Sequence, residues 1–150
     1  MPLLASLHVT LKHPSNGSNI GNYYNNDPYL SVFWNTLSML FPEGEKFFVD
    51  SIKNYRTKVA NNKQLSAEIA GFIGQESLHS REHTEINDIL VDAGYDIDRY
   101  EWELRGILNF ARMLPKSNQL AVTCALEHFT GIMAQQLLED KSHSGKIMGE

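Results

Sequence analysis

Apolar positions recur with a helical period along most of this chain, and the clearest run lies in its middle. Between residues 66 and 94, Ile69, Glu76, His83 and Leu90 fall seven apart, with Phe72, His79, Ile86 and Ala93 as a companion row. Two such rows make the seam that a helix turns toward its neighbours. Ser66 suits the N-cap of this helix and Gly94 its C-terminal stop. Upstream, residues 29–40 predict a short helix. Phe41-Pro42-Glu43 then reads as a break and a restart, with Pro42 opening a second helix that runs through Phe48, Ile52 and Tyr55 to Val59. Downstream, helices are expected over 99–113 and 118–139, with Pro115 between them. No alternating period-two run and no internal repeat interrupts this pattern. The expected class is all-α, a single helical bundle over residues 29–140. Residues 13–28, rich in Asn, Ser, Gly and Pro, make residues 1–28 an irregular arm, and 141–150 read as a polar tail.

The long helix carries the chemistry. Its two outer seam layers are apolar, whereas the middle layers are Glu76, His79 and His83. At 100° per residue these three side chains fall within an arc of about 60°, stacked over two turns, so their heads can converge inside a bundle. A buried carboxylate beside two imidazoles needs partners to offset its desolvation, and a metal ion supplies them together. The alternative is a polar core network in which Glu76 and backbone carbonyls satisfy the histidines.

Two further acids sit at comparable places. Glu127 shares a face with Leu120, Cys124, Gly131, Ala134 and Leu138, and Glu45 lies on the stripe Phe41, Phe48, Ile52, Tyr55. Glu45 also falls in the first turn after Pro42, where the helix macrodipole favours acids regardless of any metal. Single carboxylates from separate helices plus a Glu-x-x-His pair are the ligand arithmetic of ferritin-like dinuclear sites, which use two such pairs. Only Glu76 to His79 supplies one here. Asp140-x-x-His143 lies 13 to 16 residues beyond Glu127, roughly 20 to 24 Å along a continued helix, too far to close the same site. Residues 79–83 also read as His-x-x-Glu-His, the inverted zinc-peptidase arrangement, in which both histidines would bind zinc and Glu82 would activate water.

Composition narrows the partners. A formal charge of -5 with Lys and Arg scattered singly leaves no footprint for nucleic acid or anionic lipid. No apolar run approaches the roughly 18 to 20 residues that span a bilayer, and residues 1–11 lack the basic leader of a secretion signal. A cytoplasmic protein acting on a small-molecule substrate is the expectation, with homo-oligomers left open. The lone Cys124, among Ala121, Val122, Ala125 and Leu126, is expected to be a buried thiol.

Three stretches, residues 37–48 (LSMLFPEGEKFF), 75–83 (QESLHSREH) and 125–130 (ALEHFT), resemble the bacterial family of predicted metal-dependent hydrolases. The resemblance implies a ferritin-like helical bundle and metal binding through Glu45, Glu76, His79, His83 and Glu127, with His128 as a further ligand or a supporting residue. Members of that family continue into another helix with a metal-type motif, so by this likeness the bundle is expected to be incomplete at its C-terminus. The implied activity is hydrolysis. Carboxylate and histidine sites in bundles also hold iron or manganese for oxygen chemistry, so a di-iron or di-manganese oxidase is the competing enzyme, with zinc the alternative metal. A non-catalytic interaction module with a polar seam, or a metal store or sensor, would need no reaction at all.

Overall fold

The computed structural model describes residues 27–139. Over that range the chain forms four helices, α1 (Pro28–Lys53), α2 (Lys63–Asp92), α3 (Ile97–Met113) and α4 (Lys116–Glu139), and no strand. The expected all-α bundle is what the sequence forms. The irregular arm and the polar tail, with Asp140 and His143, lie almost wholly outside the described residues.

Local chemistry sets the helix ends. The Asp27 carboxylate accepts from the backbone N–H groups of Tyr29 and Leu30, and Pro28 occupies the first turn, where no N–H is missed. Asn62, rather than Ser66, caps α2 by accepting from the Leu65 N–H at 3.0 Å. The Ser66 hydroxyl instead donates to the Val59 carbonyl, holding the turn that precedes the helix. Gly94 takes φ +93°, which lets the Tyr95 N–H close back on the Leu90 carbonyl at 3.0 Å. Asp96 caps α3 through the Arg99 N–H. Gln119 in α4 donates to the carbonyls of Arg112 and Leu114 and so ties the α3–α4 turn.

The main departure from the expected elements is at Pro42. Residues 28–53 form one helix with Pro42 inside it, not two helices with a break, and the helix ends at Lys53 instead of reaching Val59. Proline in a helix interior removes the N–H that would bond the carbonyl four residues back and crowds that carbonyl. Here that group is the Ser38 carbonyl, and the Asn87 side-chain amide of α2 donates to it at 3.3 Å. A tertiary hydrogen bond replaces the one the proline deleted, and the helix runs on.

α1 packs against all three other helices, α3 also touches α2 and α4, and α2 and α4 do not approach each other closely. One apolar cluster joins Met39, Leu90 and Ile97, with Ile86 and Tyr95 against it. A second joins Phe47, Phe48 and Leu108, with Phe72, Leu104, Ala111 and Val122. Contacts of Met39 with Leu90 at one end, and of Phe47 and Phe48 with Phe72 at the other, make α1 and α2 antiparallel. Each fully buried Phe or Leu contributes on the order of 1.5 to 3 kcal/mol. Along the same side α1 buries an unusual polar series: Ser31, Asn35 and Ser38 before Met39, Glu45 between the two clusters, and Ser51 beyond them.

α4 is turned differently from the expectation. Its inward residues are Gln119 and Thr123, with Glu127 half-buried on the same side, and the Thr123 hydroxyl bonds that of Ser51 at 2.7 Å. Cys124, expected inside, is exposed, because one residue further along a helix is a rotation of about 100°. Phe129 is likewise left 77% exposed. No described helix is long and apolar enough to cross a membrane.

Candidate metal centre

α1 and α2 are held in register by Ser38 against Asn87 on one side and by the Phe47, Phe48, Phe72 cluster on the other. Between those anchors Glu45 comes level with Glu76 and with His79, one turn along α2 from it. One donor atom from each of the three lies within 4.8 Å of the others. Glu45 and Glu76 are each only 3% exposed, while His79 is partly open to solvent.

The electrostatics of this trio are those of acids held together without a countercharge. Burial raises the Glu45 carboxyl to about 9, with the nearby charges of Glu76 and Glu127 adding to the rise. Glu76 is raised to about 7 by burial and then by Glu127, and Glu127 itself is raised by burial. The Oε2 atom of Glu45 is buried and has no hydrogen-bond partner. Among the described residues no Lys or Arg forms an ion pair with any of the three; the ion pairs use other acids. A buried acid with an orphaned oxygen, facing a second acid and an imidazole, fits a cation: the ion would satisfy Oε2 and remove the repulsion in one step.

The other expected ligands lie beside the trio but outside the 4.8 Å group. His83, one turn beyond His79, places its Nδ1 3.0 Å from the Ser38 hydroxyl and its ring 4.4 Å from that of Phe41, centroid to centroid. Burial, then the neighbouring His79, pushes its pKa down to about 4. Glu127 approaches from α4, close enough for its charge to act on both Glu45 and Glu76. His128 is exposed. Glu82, the base that the inverted zinc-peptidase arrangement requires, is exposed and ion-paired with Arg81 at 3.2 Å. It touches the site only through its charge, which partly restores the lowered pKa values of His79 and His83.

Sequence reasoning missed Ser38 and Asn87. Ser38 carried a signal: Ser31, Asn35, Ser38, Pro42 and Glu45 follow one another at heptad spacing of four and three, so a reading of α1 as one helix places them all on its seam, whereas Asn87 lies off the two seam rows of α2. Assuming a break at Pro42 hid that row. A surface hollow of about 510 Å³ lies elsewhere, lined by Glu43, Lys46, Asp50, Arg105, Asn109 and Arg112. Both of its arginines already pair, Arg105 with Glu43 at 2.9 Å and Arg112 with Asp50 at 3.9 Å.

The fold and the cluster define an all-α bundle with a carboxylate and imidazole site of metal-binding type. The family model described as predicted metal-dependent hydrolase matches residues 10–149, and the chain belongs to that family. No curated protein and no solved structure matches it.

Proposed function

We propose that this protein is a metal-dependent enzyme that hydrolyses a small-molecule substrate in the cytoplasm, with a divalent cation held by Glu45, Glu76 and His79. His83 and Glu127 complete the donor set, in a ferritin-like arrangement of acids and histidines from three helices. The observation that carries the reading is the buried Glu45 carboxyl, whose Oε2 has no partner although it lies beside Glu76 and His79. When bound, a divalent ion supplies Lewis acidity, which makes water a usable nucleophile near neutral pH.

The chain's own groups set the conditions. Without a cation, Glu45 keeps its proton at neutral pH and Glu76 titrates near 7, which relieves the repulsion among the three acids, and the protons leave as the carboxylates become donors. His83 stays neutral, as a donor must. The separation of α2 from α4 and the exposure of His79 leave an approach for a small substrate. A donor set richer in carboxylate oxygen than in imidazole, with no thiolate, favours manganese or iron over zinc, and this supports dinuclear oxygen chemistry as the second reading.

The test is metal content by plasma mass spectrometry on the wild type, His79→Ala and Glu45→Gln, each checked for helicity. The expected result is manganese or iron in the wild type, lost from both variants. Hydrolysis of small ester, amide or phosphoester substrates by the loaded protein, without oxygen consumption, selects the hydrolase, and oxygen consumption selects the second reading. A well-folded wild type that takes up no manganese, iron or zinc overturns both.

A further inference from the structure

Ser38, Asn87 and His83 form a hydrogen-bond chain whose proton positions follow from chemistry alone. The Ser38 carbonyl can only accept, and it lies 3.3 Å from one atom of the Asn87 amide, which must therefore be Nδ2. That orients the amide, so the atom 3.0 Å from the Ser38 hydroxyl is Oδ1, which also can only accept. The single hydroxyl proton of Ser38 is thereby committed to Asn87. The remaining contact of that hydroxyl is His83 Nδ1 at 3.0 Å, and for this bond the hydroxyl has only lone pairs left. His83 must donate through Nδ1–H, so in its neutral form Nε2 carries no proton.

The geometry points to Ser38 and Asn87 as positioning residues that lock His83 in its Nδ1–H tautomer and hold out a bare Nε2 to a divalent metal. The proline in α1 is what makes this device available. In an uninterrupted helix the Ser38 carbonyl would be taken by the N–H of residue 42, and the Asn87 amide would have no fixed partner to orient it. Pro42 leaves that carbonyl open, Asn87 fills it, and the amide orientation passes through Ser38 to the imidazole. The Phe41 ring packs against the imidazole at 4.4 Å between centroids, tilted by 33°, and limits the room the imidazole has to turn. Ser38 is 5% exposed and Asn87 5%, so water does not compete for these bonds. A ligating histidine whose other ring nitrogen is held by a hydrogen bond is the arrangement that fixes tautomer and ring orientation in metal sites.

The inference rests on the metal reading for its purpose and not for its proton logic, and the two are tested separately. Two-bond ¹H–¹⁵N spectra of metal-free, ¹⁵N-labelled protein report the tautomer of His83, assigned by comparison with His83→Gln. The expected spectrum shows Nδ1 protonated in the wild type and in Ser38→Thr, which keeps the hydroxyl, and loss of that single-tautomer signature in Ser38→Ala. Titration with Mn²⁺ and with Zn²⁺ should show affinity about 10-fold or more weaker in Ser38→Ala, the scale on which such supporting bonds act, and largely restored in Ser38→Thr. Circular dichroism confirms that each variant is folded. A wild-type His83 protonated on Nε2 overturns the lock, as does Ser38→Ala with an unchanged tautomer. A locked His83 in a protein that binds neither metal leaves the lock standing and overturns the metal role assigned to it.

Discussion

Glu45→Gln isolates the cost of assembling the acid cluster. The wild-type carboxyl has an ordinary value near 4.5 in the unfolded chain and about 9 in the folded one. Below pH 4.5 it is protonated in both states and costs nothing. Above that, the unfolded chain gives up the proton while the folded protein keeps it, so the folded state binds more protons and stability falls as pH rises, until the folded carboxyl also ionises near 9. From 4.5 to pH 7 is about 2.5 pH units at about 1.4 kcal/mol each, or about 3 kcal/mol of stability lost by neutral pH through this one side chain. Gln is nearly isosteric and cannot ionise, so the variant lacks that slope. The quantity to measure is the stability difference between Glu45→Gln and wild type, from urea unfolding of metal-free protein followed by circular dichroism at pH 4 and pH 7. Whatever Gln adds or removes by packing is common to both pH values and cancels. The difference should move in favour of the variant by about 3 kcal/mol between them, a large part of the 5 to 15 kcal/mol typical of a domain. Manganese at a hundred times the dissociation constant should then stabilise the wild type at pH 7 by about 2.7 kcal/mol, offsetting most of that loss, and leave the variant unchanged. Stability curves that run parallel for the two proteins from pH 4 to pH 7 would show that the Glu45 carboxyl is not perturbed by its surroundings, and the account of the cluster would fail.

Three further outcomes follow from the same structure. Metal affinity should climb with pH, because Glu76 near 7 and Glu45 near 9 must lose protons to become donors. Calorimetric titration should find about tenfold per pH unit from 7 to 9 for one displaced proton, and a flat profile would contradict it. Leu90→Ala, at a site 1% exposed between Met39 and Ile97, should cost about 3 kcal/mol in urea unfolding, and a loss under 1 kcal/mol would mean that this end of the bundle is loosely packed. Asn62→Ala should cost about 1 kcal/mol through loss of the α2 cap, with Asn62→Asp close to wild type, whereas Ser66→Ala affects only the preceding turn.

The helices and the ligand row of α2 were legible because both are local. A period of 3.6 residues is written directly into the order of side chains, and Glu76, His79 and His83 share a face wherever that helix is placed. Glu45 was legible for the same reason, as an acid on an apolar stripe, and the three matching stretches placed the chain in its family. Which donors meet was decided by the packing. The 4.8 Å convergence of Glu45 with Glu76 and His79 depends on the register of two antiparallel helices, which the Ser38 to Asn87 bonds and the Phe47, Phe48, Phe72 cluster set between residues far apart in the chain. The continuity of α1 was beyond local rules, since Pro42 breaks a helix unless another element supplies the missing donor, and that donor is a side chain 45 positions away. The facing of α4 was beyond them too. Its side chains are nearly uncharged all round, so its sequence specifies no preferred face. The Ser51 to Thr123 bond and the Gln119 tie to α3 accompany the rotation that leaves Cys124 in solvent and brings Glu127 toward the acids. The sequence by itself thus determined the elements and the residues able to bind a cation, because periodicity and donor chemistry belong to single helices. Their rotation, their register and the tautomer of His83 came from bonds between helices, which only the tertiary structure can specify.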